Sequence, residues 1–400
     1  MKPTRKEMFH VMATTQETRP EVQTRLFRLG FAFNPFERLE ASNDPHISFY
    51  LIGHDMFSVA WETAPAALFA PPGGGKTAMR IYTLRACWKN EDQRRKFPIS
   101  YDLPFFANLA ELTSLEAHQT AIAAAAATDL FLACAYRPNL YLSLTVPRRL
   151  NLLSLLRVAL PVSLEYALSI LAESGDAQQL SDYLDRTYRL PDPPPSKMIQ
   201  GLCETMQHDL EDASGDLCSG PAQFEALMDF IREDLHFESV LLLLDGVDGG
   251  FLRPEDLQAQ FDMIAPLLQQ SADWAKTNLF LKAFLPVELD DYVAAQAKDF
   301  YRDSSRAQIQ WDIPKLAEIL RRRVYVASQG RFGSLDALSS PALRDVETLI
   351  ASRTRPLPRE AIMLSGLVLQ SYLKRGGEYL EPEDIFHAEQ EYPRRSIFPN

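Results

Sequence analysis

The sequence predicts an α/β fold: a parallel sheet flanked by helices, with a helical insertion and a C-terminal helical lid. Three observations predict it. Short, continuously apolar runs at 66–70, 239–244 and 279–284 recur between helix-length segments, as strands covered on both faces do. The first run passes through a glycine-rich turn directly into a helical pattern. From about 313 onward every periodic segment is helical.

Residues 1–45 are mixed and polar and are expected to pack on the core as an N-terminal segment, ending in turns at Asn34-Pro35-Phe36 and Ser42 to Pro45. A helix over 54–64 leads to the strand Ala66 to Ala70, and a helix from Lys76 to Trp88 follows the glycines. After the charged turn Asn90 to Lys96, the run Phe97 to Asp102 reads as a second strand, completing a βαβ unit. The span 110–236 is helical, too long for a simple crossover, and is expected as an insertion on the sheet, with Pro191 to Pro195 as a stiff surface connection. Strand, helix and strand return at 239–244, 254–270 and 279–284. Helices at 314–328, 341–352 and 359–375, and a short piece from Pro382, make the lid, so the core is expected over 46–300 and the lid over 301–400.

The chain has 400 residues, 46% apolar and 24% charged, enough to bury a large core, which excludes wholesale disorder and fibrous classes. Its formal charge is 41 − 53 = −12, so bulk attraction to nucleic acid or anionic lipid is not expected. Cys87, Cys134, Cys203 and Cys218 lie far apart without a CxxC pair, which fits a reducing, cytoplasmic setting. The greasy segments 121–136 and 152–171 are interrupted by Asp129 and by Arg157, Pro161 and Glu165, and are read as buried helices, not membrane spans. The first ten residues carry no secretory or lipidation pattern. The seven histidines show no metal-ligand spacing.

Ala70-Pro71-Pro72-Gly73-Gly74-Gly75-Lys76-Thr77 fits the phosphate-loop pattern GxxxxGK[ST] except at its first position. A polyphosphate needs several main-chain N–H groups converging on it, and only a glycine-rich turn at a helix start allows that approach. Glycine here costs about 1 kcal/mol of ordering entropy relative to alanine, which an idle loop does not explain. Gly73, Gly74 and Gly75 with Pro72 would form the cradle, continued by the amides of Lys76, Thr77 and Ala78. Lys76 would reach the β/γ-phosphates, and Thr77 would ligate Mg²⁺. The second element is Leu241 to Leu244 followed by Asp245-Gly246-Val247-Asp248. Alone this is an ordinary strand and turn; beside a phosphate loop, Asp245 would hold a Mg²⁺-bound water and Asp248 would polarise the attacking water.

With these motifs the chain resembles the signal-transduction ATPases with numerous domains (STAND), including the NACHT branch, within the wider AAA+ class of P-loop NTPases. The second motif of that family reads as four hydrophobics followed by Asp-Gly-hydrophobic-Asp-Glu, and Gly249 stands here in place of the final acid. The resemblance spans roughly 30–390. It implies that Asn34, Pro35 and Phe36, with the Asp44 region, help enclose the adenine; the competing reading is a proline turn that buries Phe36. It implies a sensor-one role for Lys282, against a lysine leaving the sheet into solvent. Ile309 to Trp311 would enter the lid, Pro358 and Arg359 would open its later helix with Arg359 as sensor two, and one of Arg321 to Arg323 would be offered to a neighbouring subunit or simply solvate a helix face.

The function these features imply is a regulatory ATPase switch of bacterial signalling or defence, taking ATP and Mg²⁺ between core and lid. Its chain length leaves input and output to a protein partner or to self-association, with the insertion as docking surface. Gly249 implies slow hydrolysis, or a scaffold that holds nucleotide. The alternatives are a transposition-type AAA+ ATPase acting on DNA, which the acidic charge disfavours, and a small-molecule kinase using the same loop.

Overall fold

The computed structural model describes residues 20–89, 95–103, 112–184, 186, 193–213, 220–249, 252 and 256–394. The amino terminus, Cys218, Asn90 to Arg94 and the Pro191-Asp192 part of the proline cluster lie outside the described residues.

Ala66–Ala70 (β1), Lys96–Asp102 (β2), Ser239–Asp245 (β3), Leu279–Pro286 (β4) and Ser305–Gln308 (β5) pair in one sheet, all parallel, in the order β2-β3-β4-β1-β5. The continuous apolar runs are explained by their burial: Leu241 to Leu244 are wholly enclosed. The chain leaves β1 toward β2 but advances from β2 through β3 and β4 in the opposite direction. Right-handed crossovers therefore place the helix Lys76–Lys89 on one face and the helices Leu115–Tyr136 and Leu257–Lys276 on the other. Adjacent strands β1 and β4 send their exits apart, toward β2 and β5. Their carboxyl ends thus form a topological switch point, the place where open α/β sheets bind ligands.

The span read as a single helical insertion divides in two. Leu115–Tyr136 packs on β2 and is the cover helix of the sheet itself. Its alanine-rich surface lets it approach closely, and Val146–Ala159, Leu164–Ser174, Ser196–Asp212 and Pro221–Asp229 build outward from it. Among the described residues it is the single helix long and apolar enough to cross a membrane, and 83% of its apolar window is buried. The second greasy segment breaks at 160–163 into two helices bent by 109°.

Both sheet edges are protected. On β2, Asp129 Oδ2 accepts from the Ser100 N–H at 2.6 Å while Arg186 donates to the Ser100 carbonyl at 2.9 Å, so two side chains stand where a sixth strand would pair. On the other side β5 is only four residues long and carries Arg306, stacked 3.5 Å over Tyr301.

Two compact units result, Glu40–Trp311 and a smaller one joining the described residues up to Leu39 with those from Asp312 onward. This moves both expected boundaries. The segment before Leu39 groups with the C-terminal helices, because Arg25 donates to Leu373 O at 3.2 Å and Arg323 to Pro35 O at 2.9 Å. The core extends past 300 because β5 belongs to the sheet. Ile313–Ala327, Val346–Ser352, Pro358–Arg375 and Pro382–Glu391 make the rest of the smaller unit, and Asp312 and Glu381 cap two of them.

Candidate functional site

The site is built on the carboxyl ends of β1 and β3. Between β1 and the helix Lys76–Lys89, Gly73 and Gly75 adopt φ of +74° and +93°. A Cβ on Gly74 would lie 2.8 Å from the Pro71 carbonyl oxygen and 2.9 Å from the Ala70 Cβ, so only glycine fits. Met79 N–H to Gly75 O at 2.9 Å starts the helical ladder. Among the described residues no backbone carbonyl accepts from the N–H groups of Lys76, Thr77 or Ala78. These donors form the open, positive end of the helix.

Lys76 is buried, and its ammonium spends its three donors on Ala70 O (3.1 Å), Pro71 O (3.4 Å) and Asp248 Oδ2 (2.9 Å). Asp248 lies in the turn after β3, closed by Gly249 N–H to Gly246 O at 3.0 Å, and keeps 25% of its side chain exposed. Asp245, the last residue of β3, is buried, with Oδ1 accepting from Gly246 N–H at 2.9 Å and Oδ2 from Arg80 Nε at 3.1 Å. Lys76 and Asp248 therefore meet, and Asp245 ends the strand that leads into the turn carrying Asp248. Thr77 and Pro72 line the same loop, half-buried.

Three residues that the sequence analysis did not assign to this site complete the cluster. Arg80, one helical turn after Lys76 and on the same face, bridges Asp245 to Asp102 (3.6 Å) and donates to Ser100 Oγ. Asp102 ends β2 opposite Asp245. Burial pushes the Asp102 carboxyl above the usual carboxylate range, Asp245 and Asp248 adding to the rise while Arg80 and Arg186 oppose it. Both residues were legible: Asp102 closes its strand as Asp245 closes β3, and Arg80 sits at the i+4 position. Trp311 is the third. Expected at the entrance to the lid, it belongs to the core unit, where its Nε1–H donates to Gly74 O at 2.8 Å and its ring lies against Gly75. His54 holds it, the rings 4.7 Å apart, with Nδ1 accepting from Met56 N–H (3.1 Å) and Nε2 therefore donating to Gln310 O (2.7 Å).

Lys282 is corrected. It pairs with Ala66 at the start of β1, about four residues or roughly 13 Å from the glycine loop, and its ammonium donates to Val59 O (3.0 Å) and Ala64 O (2.7 Å). It is wholly buried, not solvated, and burial pulls its pKa down to about 7. A sensor on β4 would have to stand at the strand's carboxyl end.

The remaining predicted residues, Asp44 apart, belong to the smaller unit. Asn34 Oδ1 accepts from Phe36 N–H at 3.0 Å, Pro35 is held through its carbonyl by Arg323, and Phe36 is buried against Gly366. The segment is thus a proline turn packed on that unit's helices, while Asp44, in the core unit, is tied to Tyr50 and His46. Pro358 and Arg359 open the helix Pro358–Arg375. Arg321 pairs with Asp345 (2.6 Å), Arg322 with Glu318 (2.7 Å), and Arg323 is buried, so each of the three is engaged within its own unit.

The thiols of Cys87 and Cys134 are buried, which pushes both up to about 12, and that of Cys203 to about 11, so none is poised as a nucleophile. Among the described residues no group of three or more His, Cys, Asp or Glu side chains is arranged to hold a metal ion. The oxygen groups at the loop are the Thr77 hydroxyl and the Asp245 carboxylate, the latter engaged by Arg80 and Gly246 N–H. Searches with family models, curated proteins and solved structures find no match to this chain.

Proposed function

We propose that this chain binds ATP with Mg²⁺ at the glycine loop and acts as a regulatory ATPase switch similar to the STAND branch of the AAA+ class, coupling nucleotide state to partner binding or self-association. The observation that carries the reading is the ion pair of Lys76 with Asp248, 2.9 Å apart at the open helix end. It joins two motifs 172 positions apart in the chain at the switch point of a parallel sheet.

A polyphosphate entering the loop meets the amides of Gly73 to Ala78 and competes with Asp248 for the Lys76 ammonium. Magnesium, when bound by Thr77 and through water by Asp245, supplies charge neutralisation at the phosphates. Lys76 binds the phosphate oxygens, and Asp248, released from it, orients and polarises the water for in-line attack on the γ-phosphoryl group. The exchange at Lys76 is also the switch, since it frees the turn 246–249 that the ion pair had held.

A second reading, a scaffold that retains nucleotide, is favoured by Gly249 at the family's final acid and by the commitment of Asp248 to Lys76. Phosphate release by wild type beside Lys76→Ala and Asp248→Ala, with titration of ATP by calorimetry, tests both. Binding that disappears in Lys76→Ala supports the site. Binding without phosphate release selects the scaffold, and absence of ATP binding by folded wild type removes both readings.

A further inference from the structure

A cavity lies at the end of the sheet away from the glycine loop. Arg95 immediately precedes β2, and Trp88 and Lys89 end the helix that Lys76 begins, about 18 Å along its axis. Together with Arg137 they line a cavity of about 740 Å³. That volume is the size of a small-molecule site.

Its charge is one-sided. Arg95, Arg137 and Lys89 all face it, and among the described residues no acidic side chain lines it and no carboxylate forms an ion pair with any of the three. Arg137 is fixed by donating to Trp88 O, with its guanidinium 5.6 Å from the Trp88 ring, and Arg95 stacks 4.6 Å from the Phe237 ring. Stacking occupies a guanidinium's face and leaves its N–H edge for a planar or tetrahedral oxyanion. The two cations are close enough that, after burial, Arg137 is the second cause lowering the Arg95 pKa. Like charges held together with no counter-ion among the described residues are what an anion site requires. The rest of the described wall mixes apolar groups, Trp88 and Met198 among them, with the polar groups of Tyr136, Asn139 and Ser143.

We propose that this cavity binds a small organic phosphate, its phosphoryl oxygens on Arg95 and Arg137 and its apolar body against Trp88 and Met198. The assignment is independent of the nucleotide reading of the glycine loop.

The test is calorimetric titration of the full chain with phenyl phosphate, inorganic phosphate and phenol. Phenyl phosphate is expected to bind wild type and Lys76→Ala alike, more tightly than either fragment. Binding should weaken by roughly tenfold or more in Arg95→Gln/Arg137→Gln and in elevated salt. Should that double variant not fold, Asn139→Asp, at an exposed position, places a carboxylate in the cavity and is expected to weaken binding as well. No binding of phenyl phosphate to wild type overturns the proposal. So does binding lost in Lys76→Ala and kept in the arginine variants, which would assign the anion to the glycine loop.

Discussion

Lys76 Nζ lies 2.9 Å from Asp248 Oδ2, so the cation that ends the glycine loop is held by the carboxylate that follows β3. The same ammonium donates to the carbonyls of Ala70 and Pro71, and all three of its protons are committed. Any anion that takes Lys76 must displace at least one of these acceptors, and Asp248, a partly exposed side chain in a turn, is the one that can leave.

This competition separates binding from turnover. Asp248→Asn removes the competing charge and is expected to tighten ATP binding by about threefold to tenfold while lowering phosphate release to background. Lys76→Ala is expected to lose binding. Calorimetry and a phosphate-release assay on the same preparations decide it. An Asp248→Asn variant that binds ATP as poorly as Lys76→Ala would show that the pair is structural.

Trp311 supplies an optical reading of the same loop. Its indole donates to Gly74 O and packs beside Gly75, so a ligand that reshapes the glycines changes the environment of the ring. Tryptophan emission is expected to shift on addition of MgATP to wild type and to stay unchanged in Trp311→Phe, which should lose about 1 kcal/mol of stability with the hydrogen bond. An equal shift in both proteins would place the response at Trp61, Trp88 or Trp274.

The Arg80 cluster is expected to be costly to break from one side. Arg80→Leu leaves Asp245 and Asp102 facing each other beside β3 and β2 without their shared cation, a loss of about 3–5 kcal/mol. Arg80→Leu/Asp245→Asn removes charge from both partners and should recover part of it, giving a coupling of roughly 1–3 kcal/mol in a double-mutant cycle from urea unfolding. Additive costs would mean that the guanidinium does not hold the two carboxylates together.

What the sequence disclosed and what it concealed follow from the range of the interactions. Leu241 to Leu244 announce a buried parallel strand because burial on both faces removes every polar position, and Gly73 to Gly75 announce a loop because the turn needs positive φ at Gly73 and Gly75 and leaves no room for a side chain at Gly74. Both signals are local. Ser305–Gln308 is a strand only because β1 offers it an edge; its own residues are polar and half exposed, so nothing in the run marks it. Trp311 is equally silent, since its meaning lies in Gly74, 237 positions away. The misplacement of Lys282 has another cause: pattern located β4 correctly but not its register, and a shift of four residues separates the two ends of a short strand.

Lys282 offers a test of that register through pH. Its ammonium is buried between β4 and the segment 59–64, where the Val59 and Ala64 carbonyls accept two protons, the number a neutral amine can donate. Burial lowers its pKa from 10.5 to about 7, Lys96 adding to the fall and Glu62 opposing it. Above pH 7 the folded chain has released a proton that the unfolded chain keeps until about 10.5, so the unfolded state binds more protons across this window. Stability contributed by this group therefore rises with pH, by at most about 1.4 kcal/mol per unit, and is flat below the folded value, where both states are protonated. Lys282→Met keeps the apolar stem, loses the titration and leaves two carbonyls without their donor, so its absolute stability is not diagnostic. The difference in slope is. Urea unfolding at about pH 7.5, 8.5 and 9.5 should show wild type gaining on Lys282→Met at each step. Parallel curves would mean that Lys282 remains charged in the fold, which requires it nearer to water than the β4–β1 register places it.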